Sequence, residues 1–209
     1  MSKRDSTATK ARLLKSGITE FGNNGFSGAR TEKIAKRARC NVRLLYYYYG
    51  GKEGLYLACL EKVYLEIRER EHELNLNNLE PKLAILQLVN FTFDHMFNNP
   101  DFVRIVSVEN TEGGKFLKKL LKIHGAAISH IENVREVLIR GSGEKIFRED
   151  IDPFQLYFSI LALSYLHLSN RHTLSVTYSL DLTDEEWLAD RKIHVSELIL
   201  SYLCDVKAS

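Results

Sequence analysis

Residues 31–55, TEKIAKRARCNVRLLYYYYGGKEGL, predict two short helices joined by a tight turn. Thr31 is a typical N-cap residue, and Ile34 with Ala35 begins an apolar face behind it. We therefore expect the first of these helices over residues 31–38.

The turn and the second helix follow directly. Residues 39–41 form the turn, and Asn41 is expected to cap a helix that runs only to about Tyr48. Gly50 and Gly51 stop that helix, because glycine disfavours helix interiors and is typical of helix ends.

Four consecutive tyrosines, residues 46–49, end the second helix. Successive helical residues are about 100° apart, so one apolar face can bury at most two of the four. The others must point outward, close to Arg43 and Lys52, where a phenol can donate a hydrogen bond to a phosphate oxygen. The alternative is a tyrosine-rich surface used only for packing.

Positive charge is concentrated at the start of the chain. Residues 1–54 hold 12 Lys/Arg against 4 Asp/Glu, whereas residues 55–209 hold 17 against 23. Clustered cations favour a polyanionic partner, because neutralising phosphates releases counterions. The net charge of +2 for the whole chain hides this asymmetry.

Helical periodicity and helix-breaking residues divide the remaining sequence into further helices. After a basic arm that we expect to be disordered, a first helix begins at Ala11 and ends near Gly22 to Gly25. The later helices are expected over residues 52–74, 81–98, 102–111, 117–138 and 154–169, and from about residue 183 to Tyr202. With no convincing strand, the prediction is an all-α protein of about nine helices.

Several features fix the expected ends and surroundings of these helices. Pro81, and Asp152 with Pro153, suit helix starts. The second half of the helix over residues 52–74 is charged all round, which indicates a helix that bridges two modules. The helix over residues 154–169 is apolar nearly all round and should be buried on two sides.

Several classes of protein are disfavoured by what the sequence lacks. No segment approaches the ~20 apolar residues of a membrane span, and the start has no apolar signal-peptide core. Three unpaired cysteines fit a reducing cytoplasm. Histidine spacing predicts no metal site, and no cofactor motif is present. We expect a cytoplasmic protein without a cofactor that is not an enzyme.

The opening stretch resembles the DNA-binding domain of the TetR family of bacterial transcription regulators. The residues in register with the family motif are Thr31, Ile34, Ala35, Ala38, Leu45, Tyr46, Tyr48, Lys52, Glu53 and Leu55. The resemblance covers residues 8–55 in detail and the remainder by length and helix count. The order of elements after residue 81 is also similar to that of the pyrimidine-responsive repressors of this family, from which no ligand is carried over.

The stretch departs from the family at four positions. Arg39 replaces the usual glycine of the turn, which costs energy if the residue adopts positive φ. Asn41 replaces serine and can still cap, Tyr49 replaces phenylalanine and can still fill the core, and Gly51 replaces a capping serine.

The resemblance implies that double-stranded DNA is a partner. It places base reading at Val42, Arg43 and Leu44, since arginine can bind guanine and apolar groups can touch a thymine methyl. The full set of expected DNA-binding residues is Thr31, Arg39, Asn41, Val42, Arg43, Leu44, Tyr46, Tyr47, Tyr48 and Lys52.

The resemblance also implies a C-terminal domain that binds a small effector and forms a homodimer. The expected effector-binding residues are polar groups within apolar helices, namely Asn90, His95, Glu109, Asn110, His124, Tyr157, Tyr165 and His167; for His124 a core position is the alternative. The expected dimer interface comprises Phe154, Phe158, Leu161, Tyr165, Leu198, Ile199 and Tyr202.

Three functions remain open at this point. The favoured hypothesis is a homodimeric repressor of a palindromic operator, with residues 1–54 binding DNA and residues 55–209 binding an unidentified effector and a second copy. The alternatives are a constitutive DNA-binding dimer without an effector, and an enzyme that uses the C-terminal helices as its pocket.

Overall fold

The computed structural model describes residues 3–204, which form ten α-helices and two short 3₁₀ segments without any strand. The predicted all-α class is confirmed. The helices are α1 Lys3–Gly28, α2 Thr31–Arg37, α3 Val42–Tyr49, α4 Lys52–Glu73, α5 Pro81–Asn98, α6 Pro100–Thr111, α7 Leu121–Gly143, α8 Pro153–Ser169, α9 Arg171–Tyr178 and α10 Glu185–Cys204. The helix that the sequence did not predict is α9, which is only eight residues long and buries none of them.

The predicted course of α1 is wrong at both ends. The segment before Ala11, expected to be disordered, is helical from Lys3, and Thr9 within it is 3% exposed. At the other end the helix continues past its predicted end near Gly22 to Gly25 and reaches Gly28. It is broken at Gly25, whose φ is 67° and ψ is 176°. Glycine tolerates positive φ, so the chain can resume a helix after the break.

Most of the predicted helix starts are confirmed. Asn41 Oδ1 accepts a hydrogen bond from the backbone N–H of Arg43, and Asp152 Oδ1 accepts one from that of Gln155. Pro81 and Pro153 both lie in first turns.

Thr31 is not an N-cap, because Arg30 occupies that position. The helix expected from Leu117 begins at Leu121 as α7, since Leu117–Lys119 is a 3₁₀ segment. The cause is local, because the carboxylate of Glu109 accepts the backbone N–H groups of Phe116 and Leu117 at 2.8 Å each.

Contacts divide the chain into two compact units. The first comprises Met1–Glu66 and Pro100–His124, and the second Ile67–Asn99 and Gly125–Ser209. Helix α4 contributes residues to both, as a bridging helix should. Helix α6 belongs to the first unit, because α1 packs along it.

An aromatic cluster fills the first unit. Tyr56 is fully buried, with its ring centroid 4.8 Å from that of Phe21 and 4.9 Å from that of Phe116. The hydroxyl of Tyr56 donates a hydrogen bond to Glu109 Oε2 at 3.0 Å, so this buried polar group has a partner. Residues 31–55 also contribute buried apolar side chains to the first unit, among them Ile34, Leu45 and Leu55.

The second unit has its own core between α5, α7, α8 and α10. Its buried side chains include Ile85, Leu88, Val134, Leu138, Leu156, Ile160, Val195 and Ile199. Only one side of α8 is buried within the chain, since Phe154, Phe158 and Leu166 on it are 37–57% exposed.

The close approach of α3 to α4 gives a test of this packing. A Cβ at Gly54 would lie 1.8 Å from the carbonyl oxygen of Tyr49, whereas a Cβ at Gly125 of α7 would meet no atom within 4 Å. We expect Gly54→Ala to lower the free energy of unfolding by about 1–3 kcal/mol through this clash. The control Gly125→Ala should raise it by up to about 1 kcal/mol, because alanine is the better helix former.

Urea unfolding followed by circular dichroism measures both changes. A Gly54→Ala protein as stable as the parent would show that α3 and α4 are not packed this closely.

Candidate functional site

Helix α3 is held with one side in the core and the other exposed. Leu45 is fully buried, whereas Arg43 is exposed on the opposite side. The helix ends at Gly50, whose φ of 74° places it in the left-handed region and whose N–H donates to the carbonyl oxygen of Tyr46 at 2.8 Å. The eight-residue length of α3 is therefore set by a cap at each end.

Several polar contacts with α1 hold α2 and α3 in place, and sequence reasoning missed the three described next. Arg12 Nε donates to the carbonyl oxygen of Ala38 at 3.0 Å, and the hydroxyl of Tyr49 donates to that of Lys10 at 2.9 Å. The third contact involves Glu20, which is 2% exposed and lies 3.5 Å from Arg37 of α2. The available signal was an acidic residue beside Phe21, inside the apolar part of α1.

The tyrosine run behaves as its helical phase predicts. Tyr46 is 53% exposed and Tyr47 is 79% exposed, so at least two phenols point outward. Tyr48 and Tyr49 are half-buried, and the ammonium of Lys10 lies 5.3 Å from the centroid of the Tyr48 ring. Tyr49 packs beside α1 rather than filling the core, and burial raises the pKa of its hydroxyl to about 12.

The predicted DNA-binding residues differ in their accessibility. The exposed ones are Arg39, Asn41, Arg43, Tyr46 and Tyr47, and the half-buried ones are Val42, Leu44, Tyr48 and Lys52. Thr31 is 7% exposed and can offer little surface to a partner. The structure thus brings nine of the ten onto or near the surface around α3.

Two of these residues have structural features of their own. Arg39 has φ of 53°, so the arginine at the usual glycine position does adopt the left-handed conformation. Lys52 Nζ donates to the carbonyl oxygen of Ser27 at 3.1 Å and lies 5.1 Å from the Phe26 ring centroid. Lys52 therefore also ties the start of α4 to the end of α1.

The second unit contains a buried polar cluster formed by Arg68, Glu71, His130 and Tyr157. Tyr157 donates to Glu71 Oε1 at 2.8 Å and accepts from Arg68 Nη2 at 2.7 Å. Arg68 Nη1 lies 2.8 Å from Glu71 Oε2, and His130 Nδ1 lies 3.4 Å from the same oxygen. Although the second half of α4 is charged all round in the sequence, Glu71 within it is 1% exposed.

Burial shifts the pKa values of this cluster. It raises the pKa of Glu71 to about 7, against the lowering effect of Arg68, and it lowers the pKa of His130 to about 3. Burial, with Glu71 next to it, also raises the pKa of Tyr157 above its ordinary value. At neutral pH the tyrosine and the histidine are therefore uncharged, and hydrogen bonding rather than net charge dominates the cluster.

The predicted effector-binding residues are divided between the two units. Asn90, His95, Tyr157, Tyr165 and His167 lie in the second, and Glu109, Asn110 and His124 lie in the first.

Within the first unit, Asn110 and His124 are exposed, so His124 does not lie in the core of its unit. Glu109 is 2% exposed, and both of its oxygens accept hydrogen bonds from the unit itself.

Helices α8 and α10 enclose an apolar surface groove of about 210 Å³. Its lining residues are Gln155, Leu156, Ser159, Leu163, Leu198, Ile199 and Tyr202. Of the predicted interface residues, Phe158 is 57% exposed and Leu198 and Tyr202 are each 44% exposed, whereas Ile199 is 4% exposed on the groove floor. The remaining three, Phe154, Leu161 and Tyr165, lie along α8 and are partly or well exposed.

Two features are absent from residues 3–204. No helix in this range is both long and apolar enough to cross a membrane. Within the same range, no group of three or more His, Cys, Asp or Glu side chains is placed to hold a metal ion.

Comparison with known proteins places both parts of the chain in one family. Residues 13–59 match the model for bacterial regulatory proteins of the tetR family, and residues 81–199 match that for tetracyclin repressor-like C-terminal domains. The HTH-type transcriptional repressor NicS of Pseudomonas putida is 34% identical over 192 residues, which cover 92% of this chain and 91% of NicS.

Two further proteins extend the comparison. The HTH-type transcriptional regulator RutR of Escherichia coli K12 is 24% identical over 194 residues, covering 93% of this chain and 90% of RutR. FadR of Bacillus subtilis, solved in complex with stearoyl-CoA, has a TM-score of 0.69 at 15% identity and covers 92% of this chain and 98% of its own. The curated relatives are transcription regulators, and the resemblance inferred from the sequence is confirmed. The chain belongs to the TetR family of bacterial transcription regulators.

Proposed function

We propose that the protein is a homodimeric, sequence-specific repressor that a small molecule releases from a palindromic operator. The observation that carries this proposal is the geometry of α3, a helix anchored on α1 by its tyrosine end and exposed along the side that bears Arg43. A rigid exposed helix with cationic and phenolic side chains suits insertion into the major groove of DNA.

In this proposal the N-terminal half of α3 reads bases. Arg43 is exposed and can bind a guanine edge with two hydrogen bonds, while Val42 and Leu44 offer partly exposed apolar groups to thymine methyls. The phosphate backbone is contacted by Tyr46, Tyr47 and Tyr48 in the second half of α3. Arg39 before the helix and Lys52 after it add cationic contacts to the phosphates. Such contacts position the helix and carry no sequence information directly.

A dimer supplies the second half-site. One short reading helix covers few base pairs, so two copies about 34 Å apart are needed for specific binding. The exposed aromatic and aliphatic side chains of α8 and α10 supply a surface for this pairing, since exposed Phe158, Leu166 and Tyr202 are costly to leave in water.

The second unit is the proposed effector module. It buries polar side chains of α4, α7 and α8 in the Arg68, Glu71, His130 and Tyr157 cluster, which gives a ligand directional contacts. The complex of FadR with stearoyl-CoA supports a ligand in this fold. An effector can release DNA only by binding the released state more tightly than the DNA-bound state. Functionally, residues 1–54 would bind DNA and residues 55–209 the effector and the second copy.

The first prediction separates base reading from backbone contact. An operator is obtained by selecting bound duplexes from random DNA, and single base pairs in it are then changed. Arg43→Ala should weaken binding by about 1–3 kcal/mol and remove discrimination at one position of each half-site. Lys52→Gln, which keeps a donor for Ser27, should weaken all duplexes equally and reduce the dependence on salt.

Fluorescence anisotropy titrations over the altered operators measure both effects. Equal losses for the two variants at every position would contradict the assigned roles, and failure to select any palindrome would contradict the proposed function.

The second prediction concerns the strained turn. Arg39→Gly should raise the free energy of unfolding by about 1 kcal/mol, because glycine accepts the φ of 53° without steric cost. The same change should weaken DNA binding and reduce the slope of log affinity against log salt by about 1, since a phosphate contact is lost.

The control is Arg30→Gly at the other end of α2, where φ is −120° and no strain is relieved. Urea unfolding and salt-dependent titrations give the two readouts. Unchanged DNA affinity in Arg39→Gly would remove Arg39 from the phosphate-binding set.

The third prediction tests the dimer surface. Phe158→Glu should convert the protein to monomers at micromolar concentration, because a charge would be buried in an apolar interface. The control is Ile139→Glu on α7, which changes a side chain of similar exposure, 63% against 57%, away from α8 and α10. Sedimentation across a concentration series is the measurement, and a dimer that survives Phe158→Glu but not Ile139→Glu would relocate the interface.

A further inference from the structure

The buried side of α8 carries an unusual number of polar side chains. Of its six buried residues, three are polar, namely Tyr157, Ser164 and His167. They lie at intervals of seven and three, which places them along one face of the helix. Tyr157 is satisfied by Glu71 and Arg68, but the other two are not satisfied in this way.

Ser164 and His167 carry buried polar atoms that make no hydrogen bond of normal geometry within the described residues, although the backbone of Leu163 lies next to His167. Ser164 is 0% exposed and its Oγ has no hydrogen-bond partner, and neither ring nitrogen of His167, which is 6% exposed, makes a hydrogen bond of normal geometry. A buried polar group without a hydrogen bond destabilises the folded protein, because it has lost its bonds to water without replacing them. The polar atoms of Ser164 and His167, one helical turn apart, are therefore free to form hydrogen bonds with a ligand.

Aromatic rings border these two groups. The Phe93 ring of α5 is stacked on His167, with centroids 5.1 Å apart and planes at 21°. On the other helix, the centroid of Trp187 of α10 lies 5.5 Å from that of His167. Phe93 is buried, whereas Trp187 is half-buried, so Trp187 is the most exposed of these four side chains.

The charge state of His167 defines what it can bind. Burial lowers the pKa of His167 to about 4, with the nearby guanidinium of Arg191 acting in the same direction. At neutral pH the ring is therefore uncharged, with one nitrogen as a donor and the other as an acceptor. Arg191 donates to the carbonyl oxygen of Leu163 at 3.4 Å, one turn before His167, and disfavours a cationic ligand.

We propose that Ser164, His167, Phe93 and Trp187 form a subsite for the planar aromatic ring of an uncharged small molecule that carries a hydroxyl or ring N–H group. The ring packs against the aromatic side chains, and its polar group is bonded by Ser164 and His167. This subsite rests on the proposed function in one respect only, namely that its ligand is the effector that releases DNA.

The chain contains a reporter for this subsite, because Trp187 is the only tryptophan in the sequence. Phenol is the probe, with toluene lacking the hydroxyl and cyclohexanol lacking the aromatic ring. In the full-length protein without DNA, phenol should cause a saturable change in tryptophan emission. Toluene and cyclohexanol should bind at least about tenfold more weakly, since each leaves one half of the subsite unused.

Matched variants identify the residues. Ser164→Ala and His167→Phe should each weaken phenol binding by about tenfold or more, because each removes hydrogen-bonding atoms and keeps the surrounding packing. Ser159→Ala is the control on the same helix, since its exposed hydroxyl donates only to the carbonyl oxygen of Gln155. Ser164→Ala removes one oxygen atom and serves if His167→Phe does not fold.

The outcomes distinguish the two proposals. Absence of a saturable change, equal binding of toluene, or an equal effect of Ser159→Ala would overturn the subsite. Phenol binding that follows the expected variants would establish it, whether or not DNA is released. DNA release by other molecules while phenol fails to bind would overturn the subsite alone and leave the repressor function standing.

Discussion

The position of α3 depends on a buried carboxylate, that of Glu20. Glu20 of α1 lies at 2% exposure, 3.5 Å from Arg37 at the end of α2 and 3.5 Å from the backbone nitrogen of Arg30 at its start. A buried charge is costly unless it is paired, so this arrangement strongly favours one seating of α2 on α1. A tight turn joins α2 to α3. Glu20 therefore also helps to set which side of α3 is exposed.

The second unit buries several polar side chains on one face of α8, and only some of them are hydrogen-bonded. Tyr157 is bonded on both sides, whereas Ser164 and His167 on the same face of α8 are not. Buried polar groups without partners are costly, so this face of α8 contributes less to stability than a fully hydrogen-bonded one would. The first unit thus contains a buried carboxylate that is paired, whereas the second contains a buried polar face that is only partly hydrogen-bonded.

Local signals were sufficient to predict most of the fold. Asn41 and Asp152 act as the caps that their sequence positions indicate, and the four-tyrosine run has the predicted outward phenols. The missed features depend on long-range pairing, which no local pattern encodes. Glu71 lies among charged residues in the sequence, and its partner Tyr157 is 86 residues away. The missed helix α9 has no buried side to reveal it.

The exposed apolar side of α8 has a consequence for gene dosage. Where two copies pair through Phe158 and its neighbours, mass action sets the amount of the DNA-binding species. Below the dissociation constant of the pair, its concentration varies with the square of the protein concentration. Halving the copy number in a cell would then leave about a quarter of the paired molecules. A surface of a few aromatic side chains would therefore make the response to protein supply steeper than linear.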